Sequence, residues 1–281
     1  MTDTFGSRLH AAVRERGPLC VGIDPHPALL TAWGLPDTAY GLERFAMTTV
    51  EALGDRVAVL KAQSAFFERH GSAGVQVLER TIEAARSAGA LVLLDAKRGD
   101  IGSTAQAYAD AYLGPSSPLA ADAVTVSPYL GFGSLRPFLD TAAEHGRGVF
   151  VLALTSNPEG AQVQHAVGAA GTVAGSVLDA LRALNAGADP LGSFGAVVGA
   201  TIGSTEEDLD ISGPLLAPGF GAQGGTVEDL RRVFGASLPR VLPATSREVL
   251  RAGPDTASLR AEADRVAASL AAFHDRAEGA R

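Results

Sequence analysis

LVLLDAKRGDIGSTAQAYA, residues 91–109, carries the pattern that decides the fold. An apolar run, Leu91–Leu94, ends in the charged residues Asp95, Lys97 and Asp100 and gives way to helical spacing over about 103–112. A run that is apolar on both faces suits a strand of a buried parallel sheet. Strands running parallel need a crossover between them, usually a helix.

The same rhythm recurs on both sides of this stretch. Apolar runs of strand length occur at Leu19–Ile23, Val57–Leu60, Ala123–Val126, Val149–Leu154, Ala196–Val198, Leu215–Ala217 and Val241–Leu242. Helix candidates lie between and after them at 41–53, 74–88, 132–144, 170–185, 226–234 and 257–274, with an extra one at about 4–16 before the first strand. Between the sixth and seventh strands, Glu206–Ile211 leaves room only for a short helix, with Ser204 as its N-cap. Eight strand–helix units predict an α/β fold in which residues 1–281 form a single-domain (β/α)8 TIM barrel with an extra N-terminal helix. An open doubly wound sheet is the other arrangement of such units, but no GxGxxG follows the first strand.

Composition narrows the function. The net charge is −8 with no long run of one sign, which argues against nucleic acid or an anionic membrane as partner. No stretch approaches the length of a membrane span, and the start MTDTFGSRLHAAV has no cationic leader. With the single Cys20 reading as a buried structural thiol, a cytoplasmic protein is expected. Of 23 basic residues only Lys61 and Lys97 are lysine, and both end an apolar run, VAVLK and LVLLDAK. Arginine serves as well as lysine for a surface charge, but it cannot give up a proton.

In a parallel barrel the active-site groups project from the C-terminal strand ends. Asp95 and Lys97 are two apart and share a side in extended chain, and Asp100 follows after Gly99. Acid, base and acid in alternation favour one another's charged forms and make Lys97 a poised ammonium and proton donor. A structural ion pair capping a strand is the bland reading. After strand seven, the glycine-rich stretch GFGAQGGT (219–226) offers backbone N–H groups to an anion, and Arg247 after strand eight adds a bidentate donor. Two ordinary glycine turns are the alternative there. The six histidines show no metal-ligand spacing; only His26, near the mouth, and His165, in a loop, stay open as functional candidates. Trp33 with Leu29–Leu30 reads as barrel cover, and Ser127-Pro128-Tyr129 receives no role.

DAKRGDIGSTAQAYA (95–109) resembles the DxKxxDI signature of the orotidine 5'-phosphate decarboxylase family, in its longer bacterial, type 2 form. VGIDPHP (21–27), LKAQSAFFE (60–68), LTSNPEG (154–160), APGFGAQGG (217–225) and TSRE (245–248) match in the family's order. The resemblance implies decarboxylation of orotidine 5'-phosphate to uridine 5'-phosphate with no metal or cofactor. It implies that Lys97 protonates C6, that Asp95 lies near the substrate carboxylate, that Lys61 joins the charged network and touches the ribose, and that Asp24 binds a ribose hydroxyl. It further implies that Ser156 reads the pyrimidine amide edge, that Gln223 links that serine to the phosphate, that Arg247 grips the phosphate, and that Asp100 and Thr104 serve the neighbouring site across a homodimer interface. Two other readings remain: a magnesium-dependent sugar-phosphate decarboxylase or synthase of the same superfamily, and a non-catalytic binder of phosphorylated ligands.

Overall fold

The computed structural model describes residues 3–169 and 171–270. Eight strands close into a barrel: β1 (Cys20–Ile23), β2 (Val59–Gln63), β3 (Leu91–Arg98), β4 (Ala123–Val126), β5 (Gly148–Leu154), β6 (Phe194–Val198), β7 (Leu215–Pro218) and β8 (Val241–Thr245). Each pairs in parallel with the next, and β1 pairs with both β2 and β8, so no edge is left. Helices at Ala39–Leu53, Gly71–Ser87, Gly102–Leu113, Arg136–Glu144, Val173–Leu184, Val227–Phe234 and Thr256–Leu270 surround it. Of the helix expected at 257–274, the part past residue 270 lies outside the described residues, as does His274. Among the described residues no helix is long and apolar enough to cross a membrane.

The core has two layers. Side chains on the outer strand faces pack against the helices, including Leu42, Phe45, Leu78, Phe138 and Leu178. Trp33 belongs here: its ring packs at a tilt against Phe45 and its Nε1–H donates to Leu250 O at 2.9 Å. The barrel interior is filled by Cys20, Val59, Leu93, Phe150, Val197, Leu216 and Leu242. Phe5 and Leu9, from the N-terminal helix Phe5–Arg16, join that interior cluster. Arg8 of the same helix pairs with Asp122 at 2.6 Å and donates to Gly146 O at 2.9 Å, just ahead of β4 and β5. The extra helix is therefore a plug in the N-terminal end of the barrel. Gly148 makes room for it, since a Cβ there would stand 2.3 Å from the Phe5 ring. Burying the 5–16 helix in this way leaves the C-terminal mouth as the open end.

One expected element is absent. Glu206–Ile211 forms no helix, and Ser204 caps none. The local side chains satisfy the backbone in turns instead: Thr205 Oγ1 accepts from Glu207 N, Asp208 Oδ1 from Asp210 N, and Asp210 Oδ1 from Ser212 N. Such short-range bonds compete directly with helix formation. Arg182 holds the resulting irregular path by donating to Asp208 O and Asp210 O. Short helices at Pro27–Ala32, Ser64–Glu68, Ala161–Gln164 and Arg247–Leu250, too brief to show a period, decorate the mouth.

Candidate active site

β3 delivers the first half of the site. Lys61 at the end of β2 sits one strand over, with Gln63 in register with Asp95. Asp95 Oδ2 accepts from Lys61 Nζ at 2.9 Å, and Oδ1 accepts from Lys97 Nζ at 2.6 Å and from Thr125 Oγ1 at 2.8 Å. Burial by itself would raise the Asp95 pKa, but the two ammonium groups outweigh it and hold the carboxyl well below the usual carboxylate range. Burial likewise pulls Lys61 down, and the carboxylates of Asp95 and Asp24 more than reverse it, so Lys61 stays charged. The two lysines are not equivalent: the Lys61 side chain is 8% exposed and the Lys97 side chain 45%. Lys61 is a fixed counter-charge, while Lys97 presents its ammonium to the open cavity.

The cavity, about 290 Å³, occupies the C-terminal mouth and brings together Asp24, Lys61, Asp95, Lys97, Ser156, Gln223 and Arg247. Its floor is apolar, formed by Leu152, Leu154, Val197 and Leu216. Asp24 is buried, yet its Oδ1 has no hydrogen-bond partner, and the same holds for Thr245 Oγ1 on the cavity wall. A buried acceptor without a donor is costly unless a ligand supplies one.

Ser156 lies on the loop after β5, which Gln164 braces from both sides. Gln164 Oε1 accepts from Thr155 N at 2.9 Å and its Nε2 donates to Thr155 Oγ1 at 2.7 Å. Opposite, the glycine loop turns through Gly219, Gly221 and Gly224, all at positive φ where glycine is favoured. The loop spends part of its donors on itself: Gly221 N donates to Gly225 O, Gly224 N to Gly221 O and Gly225 N to Gly219 O. The helix that follows is closed by its own capping box of Thr226 and Asp229. At this end of the cavity the side chains of Arg247 and Gln223 and the loop amides outside those turn bonds are left to meet an anion, whereas the helix start at Thr226 is already capped. The backbone O of Arg247 accepts from Arg251 N, while its guanidinium makes no hydrogen bond or ion pair among the described residues and lines the cavity.

Two expected site residues stand apart. Asp100 does not meet Lys97 within the chain, which corrects the reading of an acid–base–acid series held together along one strand end. Its Oδ1 accepts from Ile101 N at 2.8 Å instead. The cause is local: Gly99 packs so closely that a Cβ would stand 2.5 Å from Ser127 O, and the chain turns along the rim. Thr104 is exposed in the first turn of helix Gly102–Leu113. Beside them Ile101, Tyr129 and Leu130 are 61%, 77% and 52% exposed, an apolar rim where these two residues emerge. Neither His26, which precedes helix Pro27–Ala32 and packs its ring at a tilt against Phe66, nor His165 lines the cavity.

Sequence reasoning passed over Thr125 and Gln164, and met Thr245 only within TSRE, without a role. Thr125 left a signal, as the polar residue inside the otherwise apolar run AVTV.

A barrel with an ammonium–carboxylate cluster at one side of its mouth and an arginine with a glycine loop at the other is a (β/α)8-barrel enzyme for a phosphorylated small molecule. The chain belongs to the orotidine 5'-phosphate decarboxylase / HUMPS family, whose model matches residues 17–261. A relative from Salinispora arenicola named orotidine 5'-phosphate decarboxylase is 70% identical over 272 residues, covering 96% of this chain and 98% of its own. A Streptomyces coelicolor relative of the same name is 63% identical over 270 residues, covering 95% and 97%. The crystal structure of a Streptomyces avermitilis protein ascribed to the same activity superposes with a TM-score of 0.93 at 62% identity, covering 96% of each chain. The barrel, the family and the enzyme class read from the sequence all stand.

Proposed function

We propose that this chain removes carbon dioxide from C6 of orotidine 5'-phosphate, giving uridine 5'-phosphate, with Lys97 as the proton donor and no metal or organic cofactor. The observation that carries the reading is the Lys97 ammonium, open to the cavity and anchored at 2.6 Å to an ionised Asp95. The C6–carboxylate bond breaks and its electron pair remains on C6. Carbon dioxide leaves, a proton passes from Lys97 Nζ to C6, and the amine is reprotonated from water. A preformed cation beside the developing charge lowers the barrier, because it needs no reorganisation when that charge appears.

The other residues bind and orient the nucleotide. Asp24 Oδ1, buried without a donor, accepts from a ribose hydroxyl, and Lys61 donates to the ribose from the charged network. Ser156 reads the amide edge of the pyrimidine, and Gln223 bridges it to the phosphate held by Arg247. Phosphate binding far from the reacting carbon supplies energy that is used at C6. In this reading residues 1–281 act as one domain, and a homodimer in the cytoplasm brings Asp100 and Thr104 of each chain to its neighbour's cavity. Nucleic acid and membrane are not partners.

Arg247→Ala is expected to raise KM for orotidine 5'-phosphate about tenfold to a hundredfold, with a smaller change in kcat, from the loss of charge-assisted bonds to phosphate. Steady-state kinetics check this, and an unchanged KM refutes the phosphate role. Mixing Asp100→Ala with Lys97→Ala chains is expected to restore part of the activity that neither variant has alone, since some hybrid sites then combine an intact Lys97 with an intact Asp100. Absence of any recovery in mixed dimers refutes sharing across the interface. The substrate itself is tested by offering orotidine 5'-phosphate beside sugar phosphates that lack a base, with and without magnesium. Turnover confined to the sugar phosphates overturns the reading in favour of the magnesium-dependent relatives.

A further inference from the structure

Between Leu94 and Arg98 the β3–β4 ladder shifts register. Leu94 pairs with Val124 and Arg98 with Val126, so Asp95, Ala96 and Lys97 all lie opposite the single residue Thr125. Such a bulge re-aims side chains and leaves backbone groups without a ladder partner. Lys97 has a φ of 48°, in the left-handed region that non-glycine residues avoid unless their surroundings hold them there. Its amide donates not to a strand carbonyl but to Thr125 Oγ1, at 3.0 Å. The same hydroxyl donates at 2.8 Å to Asp95 Oδ1, the oxygen that also takes Lys97 Nζ. A hydroxyl has one proton, and an ionised carboxylate can only accept. The proton of Thr125 is therefore committed to Asp95 and a lone pair to the Lys97 amide. With Thr125 only 1% exposed, water has little access to replace either bond.

We propose that Thr125 is a positioning residue for the proton transfer. It locks the backbone of Lys97 and the carboxylate that anchors its ammonium into one frame, so that Nζ is held where the carbanion forms. This rests on the reading of Lys97 as the proton donor. The Thr125 hydroxyl bonds to Asp95 and the Lys97 amide and to none of Arg247, Gln223 and Ser156, so its loss is expected to reach turnover and not nucleotide affinity.

The test uses the full chain with Thr125→Val, which keeps the branched shape but removes both bonds, and Thr125→Ser, which keeps the hydroxyl. Lys97→Ala is the reference. Measured are kcat and KM for orotidine 5'-phosphate, affinity for uridine 5'-phosphate by calorimetry, and the unfolding midpoint. Thr125→Val is expected to lose about 10²-fold in kcat, the scale of a displacement near 1 Å, with KM and product affinity close to wild type. Thr125→Ser is expected to recover most of the loss. Thr125→Ala removes the hydroxyl without placing a new methyl against Asp95 and gives an independent measure of the same split. An unchanged kcat in the valine and alanine variants overturns the positioning role, as does a parallel fall of kcat, product affinity and unfolding midpoint, which marks a merely structural residue. Failure of the wild-type chain to convert the nucleotide overturns the underlying reading, and the role of Thr125 with it.

Discussion

Lys97→Ala loses nearly all turnover while still binding uridine 5'-phosphate. In the proposed mechanism the ammonium has two functions that end together: it stabilises negative charge at C6 and supplies the proton that quenches it. General acid catalysis alone contributes about 10²–10⁴-fold, and a preorganised charge adds to that. The expected loss is therefore at least about 10³-fold in kcat. On the proposed reading binding survives because phosphate, ribose and base are assigned to Arg247, Asp24 and Ser156, which line the cavity from the ends of other strands. The fold survives because the Lys97 side chain is 45% exposed and Asp95 keeps its bonds to Lys61 and Thr125. Steady-state kinetics with product calorimetry check both halves. More than a few per cent of residual activity in a folded variant removes Lys97 as proton donor.

Asp95→Ala is expected to damage stability as well as chemistry. Its removal leaves the Lys61 ammonium, 8% exposed, without the partner that holds it at 2.9 Å. Removing one partner of a buried ion pair costs about 3–5 kcal/mol, which lowers the unfolding midpoint by roughly 10 °C in a chain of this size. Turnover falls too, because Lys97 loses its anchor. The pH dependence has a definite sign. In the fold the Asp95 carboxyl titrates below its ordinary value, so its contribution to stability is complete above the unfolded pKa of about 3.9 and fades as pH falls through the folded value. Lys61, raised above its ordinary value, contributes below the unfolded pKa of about 10.4 and loses that contribution as pH rises through the folded value. The stability gap between wild type and Asp95→Ala is thus expected to be flat across neutral pH and to narrow in acid. Chemical unfolding as a function of pH checks it, and a gap that widens in acid contradicts the ion-pair assignment.

The barrel was legible because its strands are buried on both faces and so read as apolar runs, and because eight such runs alternate with helical periods. Asp95 and Lys97 were legible because lysine is scarce and stands where a strand ends. Glu206–Ile211 was not, since Asp208 and Asp210 turn the backbone by side-chain bonds that leave no periodic trace. Nor did the spacing of Asp100 reveal its direction, which Gly99 sets through a close approach to Ser127, just past the end of β4. Thr125 shows the limit most clearly. Its hydroxyl matters because a register shift places it opposite Lys97, and a register shift is a relation between two strands that neither sequence segment carries alone.

The central claim is tested most directly by following the ultraviolet absorbance of orotidine 5'-phosphate with the purified chain after exhaustive treatment with EDTA. Undiminished conversion to uridine 5'-phosphate is the predicted result. No conversion by the folded protein, or conversion that returns only with added magnesium, contradicts the account.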